Sequence, residues 1–348
     1  MTASEVLGCY VVPGGVSDPR AALTEAAQAE RLGLGTVWIG ERYDTKDLPS
    51  LAGAIGALTH TVRIAAGVTH PGLRHPMVLA SMGQTLQAIT GGRFVLGLGR
   101  SAAWRWKAYG VAAPTLASLG DTATVLRRLW AGETVTYSGP AGDFPSLRLP
   151  QRPAVAPPPV VLAAVGPKTL ELAGRCFDGV ILHPFLTPDA VGRAVTIVRG
   201  SAERAGRDPL AIRCYATVVT AADLTPTDEG LAVGSRAAGY FHVSGLGDAL
   251  IAANRWDPSA LEAYRAQPVL VALGDKTADK HLPRAQLVEL SHTLPAEWIP
   301  SSSAAGTAAQ CAAKLREYLA AGADELVLHG STAPHYGSLV RAFDGPAR

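Results

Sequence analysis

Ionisable side chains that can do acid–base chemistry follow two of the short apolar runs in this chain. Glu41 and Arg42 come directly after "TVWIG", and His183 comes directly after "GVIL". A carboxylate or an imidazole can take up or release a proton during a reaction, so Glu41 and His183 are candidate catalytic groups. Glu41 and Arg42 are alternatively a solvated ion pair. Their position at the end of an apolar run favours ligand contact.

A glycine interrupts a third apolar run, "VRIAAGVTHPGLRHP", at the point where a ligand could approach the backbone. Gly67 and Val68 permit an unusual backbone conformation there, although a merely bent strand explains them equally well. Pro71 and Pro76 are typical of a turn and of the first position of a helix. His75, between them, either caps that helix or is a core histidine.

A turn with the character of a phosphate site follows a fourth run, in "VVLAAVGPKTLELAG". Gly166 lets backbone approach a ligand, Pro167 begins a helix, and Lys168 and Thr169 flank its free N–H groups. The alternative is a tight strand–helix turn with an exposed lysine. Similarly, "WRWKAY" (104–109) is either a loop packed on itself or a wall for a flat ring.

Several familiar sequence motifs are incomplete or absent. "GLGRSA" has alanine where a dinucleotide fingerprint requires its third glycine, and "GPKT" lacks the upstream glycine of a phosphate-binding loop. No G-x-S-x-G elbow occurs. No H-x-x-x-H pair occurs and the four cysteines are scattered, so we expect neither a metal site nor a disulfide framework.

Composition limits the classes of partner. The 348 residues are 48% apolar and 17% charged with a net charge of +2, which is typical of a globular protein with a large core. So small a charge argues against nucleic acid and an anionic membrane surface. Neither a signal peptide nor an apolar run of the roughly 18 residues that cross a membrane is evident, so we expect a cytoplasmic protein.

Eight apolar runs alternate with helical segments and must position these residues. Such alternation predicts a parallel sheet, and eight units favour a (β/α)8 TIM barrel over an open doubly wound sheet. We predict one domain over 1–348, with a hairpin and proline-rich excursion at 133–159 and a helical insertion at 223–296 after the seventh strand. The predicted strands are 6–12, 36–40, 62–68, 93–99, 160–164, 179–183, 211–219 and 324–329.

Four segments in this order resemble the bacterial luciferase-like superfamily, and in particular its branch that uses the deazaflavin coenzyme F420. They are "GVTHPGLRHP", "ITGGRFVLGLGRS", "VVLAAVGPKTLELAGRCFDGVILHPF" and "GTAAQCAAKLREYLAAGADELVLHG". The resemblance implies the barrel, a non-prolyl cis peptide at Gly67–Val68 behind the coenzyme ring, and a phosphate loop at "AAVGPKT". One departure is that the second strand ends in Glu41-Arg42 rather than the Asp-His of many relatives, which argues against sugar phosphate oxidation.

Barrel enzymes place their catalytic and binding residues at the C-terminal ends of the strands. The resemblance implies a role for the residues at each of these ends. We expect His183 and Glu41 to be catalytic, and Val12, Arg42 and His329 to contact substrate. The expected coenzyme-binding residues are Gly67, Val68, Thr69, Gly99, Arg100, Ala164, Val165, Gly166, Pro167, Lys168 and Thr169.

The leading interpretation is an F420-dependent oxidoreductase that transfers a hydride between the deazaflavin and a C=C or C=N bond of a small organic substrate. The alternatives are an FMN-dependent luciferase-like monooxygenase and a non-catalytic flavin-binding barrel. Relatives are often dimers, so we also expect a homodimer.

Overall fold

Eight parallel strands close into a barrel in the computed structural model, which describes residues 2–101, 103–151 and 154–345. Around the barrel the strands run β1-β2-β3-β4-β7-β8-β9-β11, and β11 pairs with β1 to close the ring. The closing register places Leu7 opposite Leu326 and Cys9 opposite Leu328. This closure confirms the predicted TIM barrel and excludes an open doubly wound sheet.

The strands are β1 Leu7–Tyr10, β2 Thr36–Ile39, β3 Arg63–Ala66, β4 Phe94–Leu98, β5 Val135–Gly139, β6 Gly142–Leu147, β7 Val160–Ala164, β8 Gly179–Leu182, β9 Arg213–Ala222, β10 Ser303–Gly306 and β11 Glu325–Gly330. The helices are α1 Ala3–Val6, α2 Ala21–Arg31, α3 Leu48–Leu58, α4 Pro76–Ile89, α5 Ala103–Tyr109, α6 Leu116–Trp130, α7 Pro167–Cys176, α8 Pro188–Arg204, α9 Pro226–Glu229, α10 Ser235–His242, α11 Leu246–Asn254, α12 Pro258–Arg265, α13 Pro268–Leu273, α14 Ala278–His281, α15 Arg284–Ser291, α16 Trp298–Ser302, α17 Ala308–Ala320 and α18 Gly337–Asp344. Short 3₁₀ turns lie at Pro71–Leu73, Pro209–Ala211 and Ala333–His335, and a π-helical turn spans Gly230–Gly234.

The barrel strands are buried on both faces because helices cover the outside and side chains fill the inside. Seven inward-facing residues form one packed cluster in the barrel: Trp38, Ala65, Val95, Val161, Ile181, Tyr215 and Val327. Tyr10, Val68 and Ala163 pack against the cluster and are only partly buried. The barrel is therefore filled in its middle by side chains.

The N-terminal end of the barrel carries a buried, compensated charge. Glu325 begins β11 and is fully buried. Its carboxylate forms ion pairs with Arg63 and with Arg213, the latter at 3.4 Å between Nη2 and Oε2. Both arginines are partly exposed, whereas Glu325 Oε1 and Arg213 Nε are buried and have no hydrogen-bond partner among the described residues.

Helices α4 and α7 begin at the prolines that the sequence indicated as helix starts. Pro76 begins α4, and His75 caps it by accepting a hydrogen bond at Nδ1 from the Met77 N–H at 3.2 Å. His75 is exposed, so its role is that of a cap and not of a core histidine. Pro167 likewise opens α7, which ends at Cys176 as predicted.

Two regions depart from the simple alternation. β5 and β6 form an antiparallel hairpin within the predicted excursion, whose connector includes Arg152 and Pro153, outside the described residues. The segment 223–302 is helical, and the short strand β10 that follows it extends the sheet beside β9, which the sequence did not predict. Within the described part of the chain, every helix is too short or too polar to span a membrane.

Candidate active site

The peptide bond between Gly67 and Val68 is cis, which confirms the prediction made for it. The Gly67 N–H donates to the Ile39 carbonyl at 2.8 Å, and the Thr69 N–H donates to the Gly97 carbonyl at 2.9 Å. The Tyr10 hydroxyl donates to the Gly67 carbonyl at 3.0 Å. The end of β3 is therefore held on both sides by its neighbours while Val68 turns toward the inside of the barrel.

Gly97 in β4 and Gly99 directly after it make room for this turn. A Cβ on Gly97 would lie 1.9 Å from the Ala66 carbonyl oxygen, and a Cβ on Gly99 would lie 2.5 Å from Cγ2 of Val68. Real Cβ atoms do not approach so closely, so both positions exclude larger residues. The glycines of "GLGRS" thus accommodate the neighbouring strand, which accounts for a glycine-rich segment that is not a dinucleotide fingerprint.

Glu41 is enclosed beneath Thr69. Its Oε2 accepts hydrogen bonds from Thr69 Oγ1 at 2.9 Å and Arg74 Nη2 at 3.0 Å, and its Oε1 accepts from the Leu48 N–H at 3.2 Å. Its side chain has no exposed surface. Arg74 also pairs with Asp47. The carboxylate predicted to be catalytic therefore supports Thr69 and the start of α3 from below.

His183 lies at the end of β8 with its edge toward the Tyr240 ring, at 4.7 Å between ring centroids. Its Nδ1 is 3.0 Å from the Pro184 carbonyl oxygen. A carbonyl can only accept, so Nδ1 carries the hydrogen and Nε2 is the acceptor. Burial lowers the pKa of His183 to about 4, so the ring is neutral at pH 7. It can accept a hydrogen bond from a substrate and does not store a proton there.

His329, the residue before the last of β11, lies opposite Tyr10, with 4.9 Å between ring centroids. Only 8% of the residue is exposed, and Nδ1 is buried without a hydrogen-bond partner among the described residues. Burial, reinforced by Arg236 and other nearby cations, holds the pKa of His329 well below its usual value. A neutral imidazole with an unpaired buried nitrogen is unusual in a packed interior and keeps His329 a candidate for ligand contact.

Three residues shape the loops at the first two strand ends. Val12 has a φ of 40°, and its N–H donates to Glu25 Oε2 at 2.6 Å. Lys46 donates from Nζ to the Val12 carbonyl and, at 3.1 Å, to the Gly14 carbonyl. Burial lowers the pKa of Lys46 to about 8. Arg42 pairs with Asp279 at 2.7 Å, which joins the β2 end to helix α14 of the insertion.

The turn after β7 leaves open space. Ala164 and Val165 lead into Gly166, the N-cap of α7, and no atom lies within 4 Å of where a Cβ on Gly166 would stand. Gly166 has no side chain to cap the helix, while Lys168 is exposed beside the first turn. Backbone N–H groups at a helix N-terminus favour an anion. This geometry is compatible with the phosphate site expected there.

The segment after β4 packs on itself. Trp106 is almost fully buried and donates from Nε1 to the Arg100 carbonyl at 2.6 Å. Arg100 is itself exposed and donates from Nε to the Pro114 carbonyl at 3.0 Å. Trp106 also faces His70 at 5.7 Å between ring centroids. Of the two interpretations of "WRWKAY", the structure supports internal packing for Trp106. The segment forms helix α5.

Four further residues join the site: Tyr10, Lys46, Arg236 and Tyr240. Tyr10 was accessible to sequence reasoning, because it is the last residue of a strand in which Gly8 and Tyr10 face inward. Arg236 and Tyr240 are four apart and share one helix face, which is a weak signal. Only the docking of the insertion on the barrel brings them to His183 and His329.

The fold and these contacts define a closed α/β barrel with its candidate site at the C-terminal strand ends. The family model described as luciferase-like monooxygenase matches residues 3–325, and the chain belongs to that family. The chain is 32% identical over 195 residues to a 5,10-methylenetetrahydromethanopterin reductase of Methanolobus tindarius, covering 56% of this chain and 59% of that protein. It is 32% identical over 196 residues to an F420-dependent glucose-6-phosphate dehydrogenase of Nakamurella multipartita, covering 52% and 58%.

The matches thus span less than two thirds of either curated relative. Among solved structures, the coenzyme F420-dependent tetrahydromethanopterin reductase of Methanopyrus kandleri superposes with a TM-score of 0.78 at 20% identity, covering 97% of both chains. An F420-dependent secondary alcohol dehydrogenase in complex with an F420-acetone adduct gives 0.73 at 18% identity and 99% of both chains. At these identities the superpositions establish the fold.

Proposed function

We propose that this protein is a coenzyme F420-dependent oxidoreductase acting on a C=C or C=N bond of a small organic substrate. The observation that carries the proposal is the open turn at Gly166, where the N-terminus of α7 lies beside the exposed Lys168, in a chain whose curated relatives include an F420-dependent dehydrogenase. When bound, the deazaflavin supplies a carbon centre that donates or accepts a hydride.

The residues present suit such a group. Val68 and Ala163 are small, only partly buried, and lie at the inner surface where a flat ring would rest. Gly166 opens onto free space at the N-terminus of α7, where Lys168 supplies positive charge for a phosphate. We propose that Gly67, Val68 and Thr69 contact the ring and that 164–169 hold the phosphate, with Gly99 and Arg100 between them.

The chain's own residues orient the reactants. Glu41 fixes the Thr69 hydroxyl, and so positions one wall of the site without contacting substrate. His183 presents Nε2 as a hydrogen-bond acceptor for a substrate N–H or O–H, with its tautomer set by Pro184. Val12, Arg42 and His329 surround the substrate side. Orientation of this kind supplies most of the rate acceleration in a hydride transfer.

Titration of the purified protein with F420 and with FMN, followed by fluorescence, tests the proposal. We expect F420 to bind and FMN to bind much more weakly. Gly166→Ala should weaken F420 binding at least about tenfold, because its methyl group enters the space assigned to phosphate. Gly200→Ala, on the outer helix α8, is the matched control and should leave binding unchanged. Wild-type protein that binds only FMN would refute the F420 assignment.

The description of the family itself favours one alternative, an FMN-dependent monooxygenase. That reading requires tight FMN binding and oxygen consumption with reduced FMN. Retained F420 binding without turnover on any acceptor would instead support a non-catalytic coenzyme-binding barrel. The same titration, followed by a search for acceptors, separates the three.

The role of His183 has its own test. His183→Ala should slow single-turnover oxidation of bound reduced F420, because the substrate loses a hydrogen bond that orients it. F420 affinity should stay unchanged, since the coenzyme is proposed to rest on β3 and α7. An unchanged single-turnover rate would remove His183 from the mechanism.

We further propose that the protein is a single-domain, cytoplasmic homodimer that binds neither nucleic acid nor membranes. An apolar groove between α3 and α4 supports the dimer, since Val78 and Ile89 on its rim are 51% and 52% exposed. Ile89→Lys should yield monomers in light-scattering measurements. Leu210→Lys, at an even more exposed apolar site on the outer Pro209–Ala211 turn, should not.

A further inference from the structure

A cationic side chain of the insertion lies directly over the end of β11. Arg236 follows the π-helical turn Gly230–Gly234 in a segment that is helical from Pro226 to His242. The Ala232 carbonyl oxygen of that turn lies only 3.2 Å from where a Cβ on Gly330 would stand. The turn therefore packs against the last residue of β11, next to His329, and the π geometry sets which side chains of the following helix reach the barrel.

The charge of Arg236 is not balanced by protein. Among the described residues, no carboxylate lies within ion-pair distance of it, and the charges that act on it include the cations Arg42 and Arg284. Asp279, a carboxylate of the same insertion, is held by Arg42 at 2.7 Å. Burial lowers the pKa of Arg236 to about 10, and the group still carries its charge at pH 7.

One edge of the Arg236 guanidinium is available. Nη1 donates to the Ala232 carbonyl at 2.9 Å, with a longer contact to the Leu231 carbonyl. Neither Nε nor Nη2 takes part in a hydrogen bond with any described residue, and neither is enclosed by protein. The Nε–Nη2 edge is a planar pair of donors whose spacing matches two oxygens of a carboxylate or phosphate.

His329 and Tyr240 lie near the Nε–Nη2 edge of Arg236, and further cations lie around it. His329 has its unpaired, buried Nδ1, and its ring is 6.4 Å from the Tyr240 ring between centroids. The charges of Arg236, Arg42 and Lys46 all act on His329. Positive charge with unused donors and little opposing charge is a site that an anion would stabilise.

We propose that Arg236 binds an anionic group of the substrate, a carboxylate or a phosphate, through its Nε–Nη2 edge beside His329. This rests on the proposed function, because it names the class of substrate that the oxidoreductase site accepts.

The anion is assigned to the substrate and not to the coenzyme because of where the two cationic regions lie. The helix end at Gly166 follows β7, whereas Arg236 covers β11, and β8 and β9 separate these strands around the barrel. The coenzyme phosphate thus already has a proposed binding site at Gly166, away from Arg236 around the barrel mouth. The anionic tail of the coenzyme is the other possible source of the same chemistry, and the test separates the two.

Matched pairs of probes test for the anion site: benzoate with benzamide, acetate with acetamide, and inorganic phosphate alone, each titrated into the wild type by calorimetry at low salt. We expect at least one anion to bind about tenfold or more tightly than its amide, since a hydrogen bond to a charged group is stronger than one to a neutral group. Arg236→Gln should remove the preference, and Arg236→Lys should retain part of it because the charge remains without the planar pair of donors.

Arg204→Gln is the control, since Arg204 is exposed in the last turn of α8 and its loss lowers the net charge equally. It should change anion affinity less than twofold. Equal affinity for anion and amide in the wild type, or failure of every anion to bind, would overturn the proposal. So would an equal loss of anion affinity in Arg204→Gln, since the effect would then come from net charge alone.

A second arm compares intact F420 with the deazaflavin riboside that lacks the phosphate and glutamate tail. The ratio of their affinities should be the same in the wild type and in Arg236→Gln. A ratio that falls in Arg236→Gln would assign the anion to the coenzyme tail and refute the substrate assignment. If F420 does not bind at all while the anion preference persists, the proposed function fails and the anion site stands.

Discussion

The two ends of the barrel treat charge in opposite ways. At the N-terminal end, the buried Glu325 carboxylate forms ion pairs with Arg63 and Arg213, although its Oε1 atom and Arg213 Nε have no hydrogen-bond partner among the described residues. At the C-terminal end, Arg236 has no carboxylate partner among the described residues, and His329 has an unpaired buried nitrogen. A largely buried cation without a counter-ion is costly, so a ligand that carries negative charge would stabilise this end. The two ends therefore differ in whether their charges are paired, and we propose binding only for the C-terminal end.

The backbone conformation also distinguishes the two ends of the barrel, because unfavourable φ angles lie at the C-terminal end. Five non-glycine residues of the described chain have a positive φ, and four of them, Val12, Ser101, Phe185 and Asp223, follow the C-terminal ends of β1, β4, β8 and β9 within three residues. Such conformations cost of order 1–3 kcal/mol each and cluster at functional sites. The mouth of the barrel thus carries strain that the N-terminal end does not.

Acid should destabilise the protein mainly because buried histidines at the mouth of the barrel must take up protons. This is the largest effect we expect. Burial lowers the pKa of His70 to about 3, that of His183 to about 4, and that of His329 well below 6.5. Unfolding restores values near 6.5, so below that pH the unfolded chain binds more protons than the folded chain. The free energy of unfolding therefore falls as the pH drops from 6.5 toward 4, by about 1.4 kcal/mol per pH unit for each histidine.

Urea denaturation at several pH values between 7 and 5 measures this slope. His329→Gln should reduce the slope by about one proton. His292→Gln, at a side chain that is 67% exposed, should leave it unchanged. Equal slopes for the wild type and His329→Gln would show that the mouth does not hold this histidine neutral.

Breaking the balanced end should cost stability without affecting binding. Glu325→Gln leaves Arg63 and Arg213 facing each other across a neutral amide, and we expect the free energy of unfolding to fall by about 3 kcal/mol. Glu133→Gln breaks an exposed ion pair with Arg128 and should cost less than about 0.5 kcal/mol. The affinity for F420 should be unchanged in both. A loss of F420 affinity in folded Glu325→Gln would contradict the separation of the two ends.

Replacing a glycine beneath the Val68 side chain should show that the mouth depends on close packing. Gly99→Ala places a methyl group 2.5 Å from Cγ2 of Val68 but 3.6 Å from its Cβ, and should destabilise by about 1–3 kcal/mol. Val68→Ala removes the clashing atoms. In the double variant, Gly99→Ala should therefore add almost nothing to the cost of Val68→Ala. Additive costs in this double-mutant cycle would mean that the two side chains do not meet.

The sequence predicted the scaffold far better than the site. The bounds of β7 and α7 were obtained correctly because an apolar run, a glycine and a proline follow one another, each with a local effect. The cis bond at Gly67–Val68 followed from family resemblance, because glycine alone indicated only an unusual backbone. β10 was missed because "SAAG" carries no strand signal of its own and pairs only because β9 extends past its neighbours.

Residues whose position depends on tertiary docking were the hardest to predict. Arg236 and Tyr240 belong to an insertion whose helical pattern contains no information about which strand end it covers. Their approach to His329 depends on the π-helical turn and its contact with Gly330. Such contacts are made between segments nearly 100 positions apart and follow from the packing of the whole chain.

The smallest expected effect concerns the ion pairs that fasten the insertion over the mouth. Asp279 pairs with Arg42, and Lys280 pairs with Asp44, so that α14 is joined to the β2–α3 loop. All four side chains are partly exposed, so replacing Asp279 and Lys280 together by alanine should lower the free energy of unfolding by less than about 1 kcal/mol. Hydrogen exchange of the amides at 275–283 should nonetheless rise clearly, because local opening no longer breaks the two pairs.

Lys314→Ala, which breaks an exposed pair with Glu317 on α17, is the control and should leave exchange at 275–283 unchanged. Added salt should reproduce the effect in the wild type, since screening acts within about 10 Å at 0.1 M. If the double variant exchanges no faster than the wild type, apolar packing and not charge holds the insertion in place. The cations of the mouth would then have no part in fastening it, and their unbalanced charge would serve binding alone.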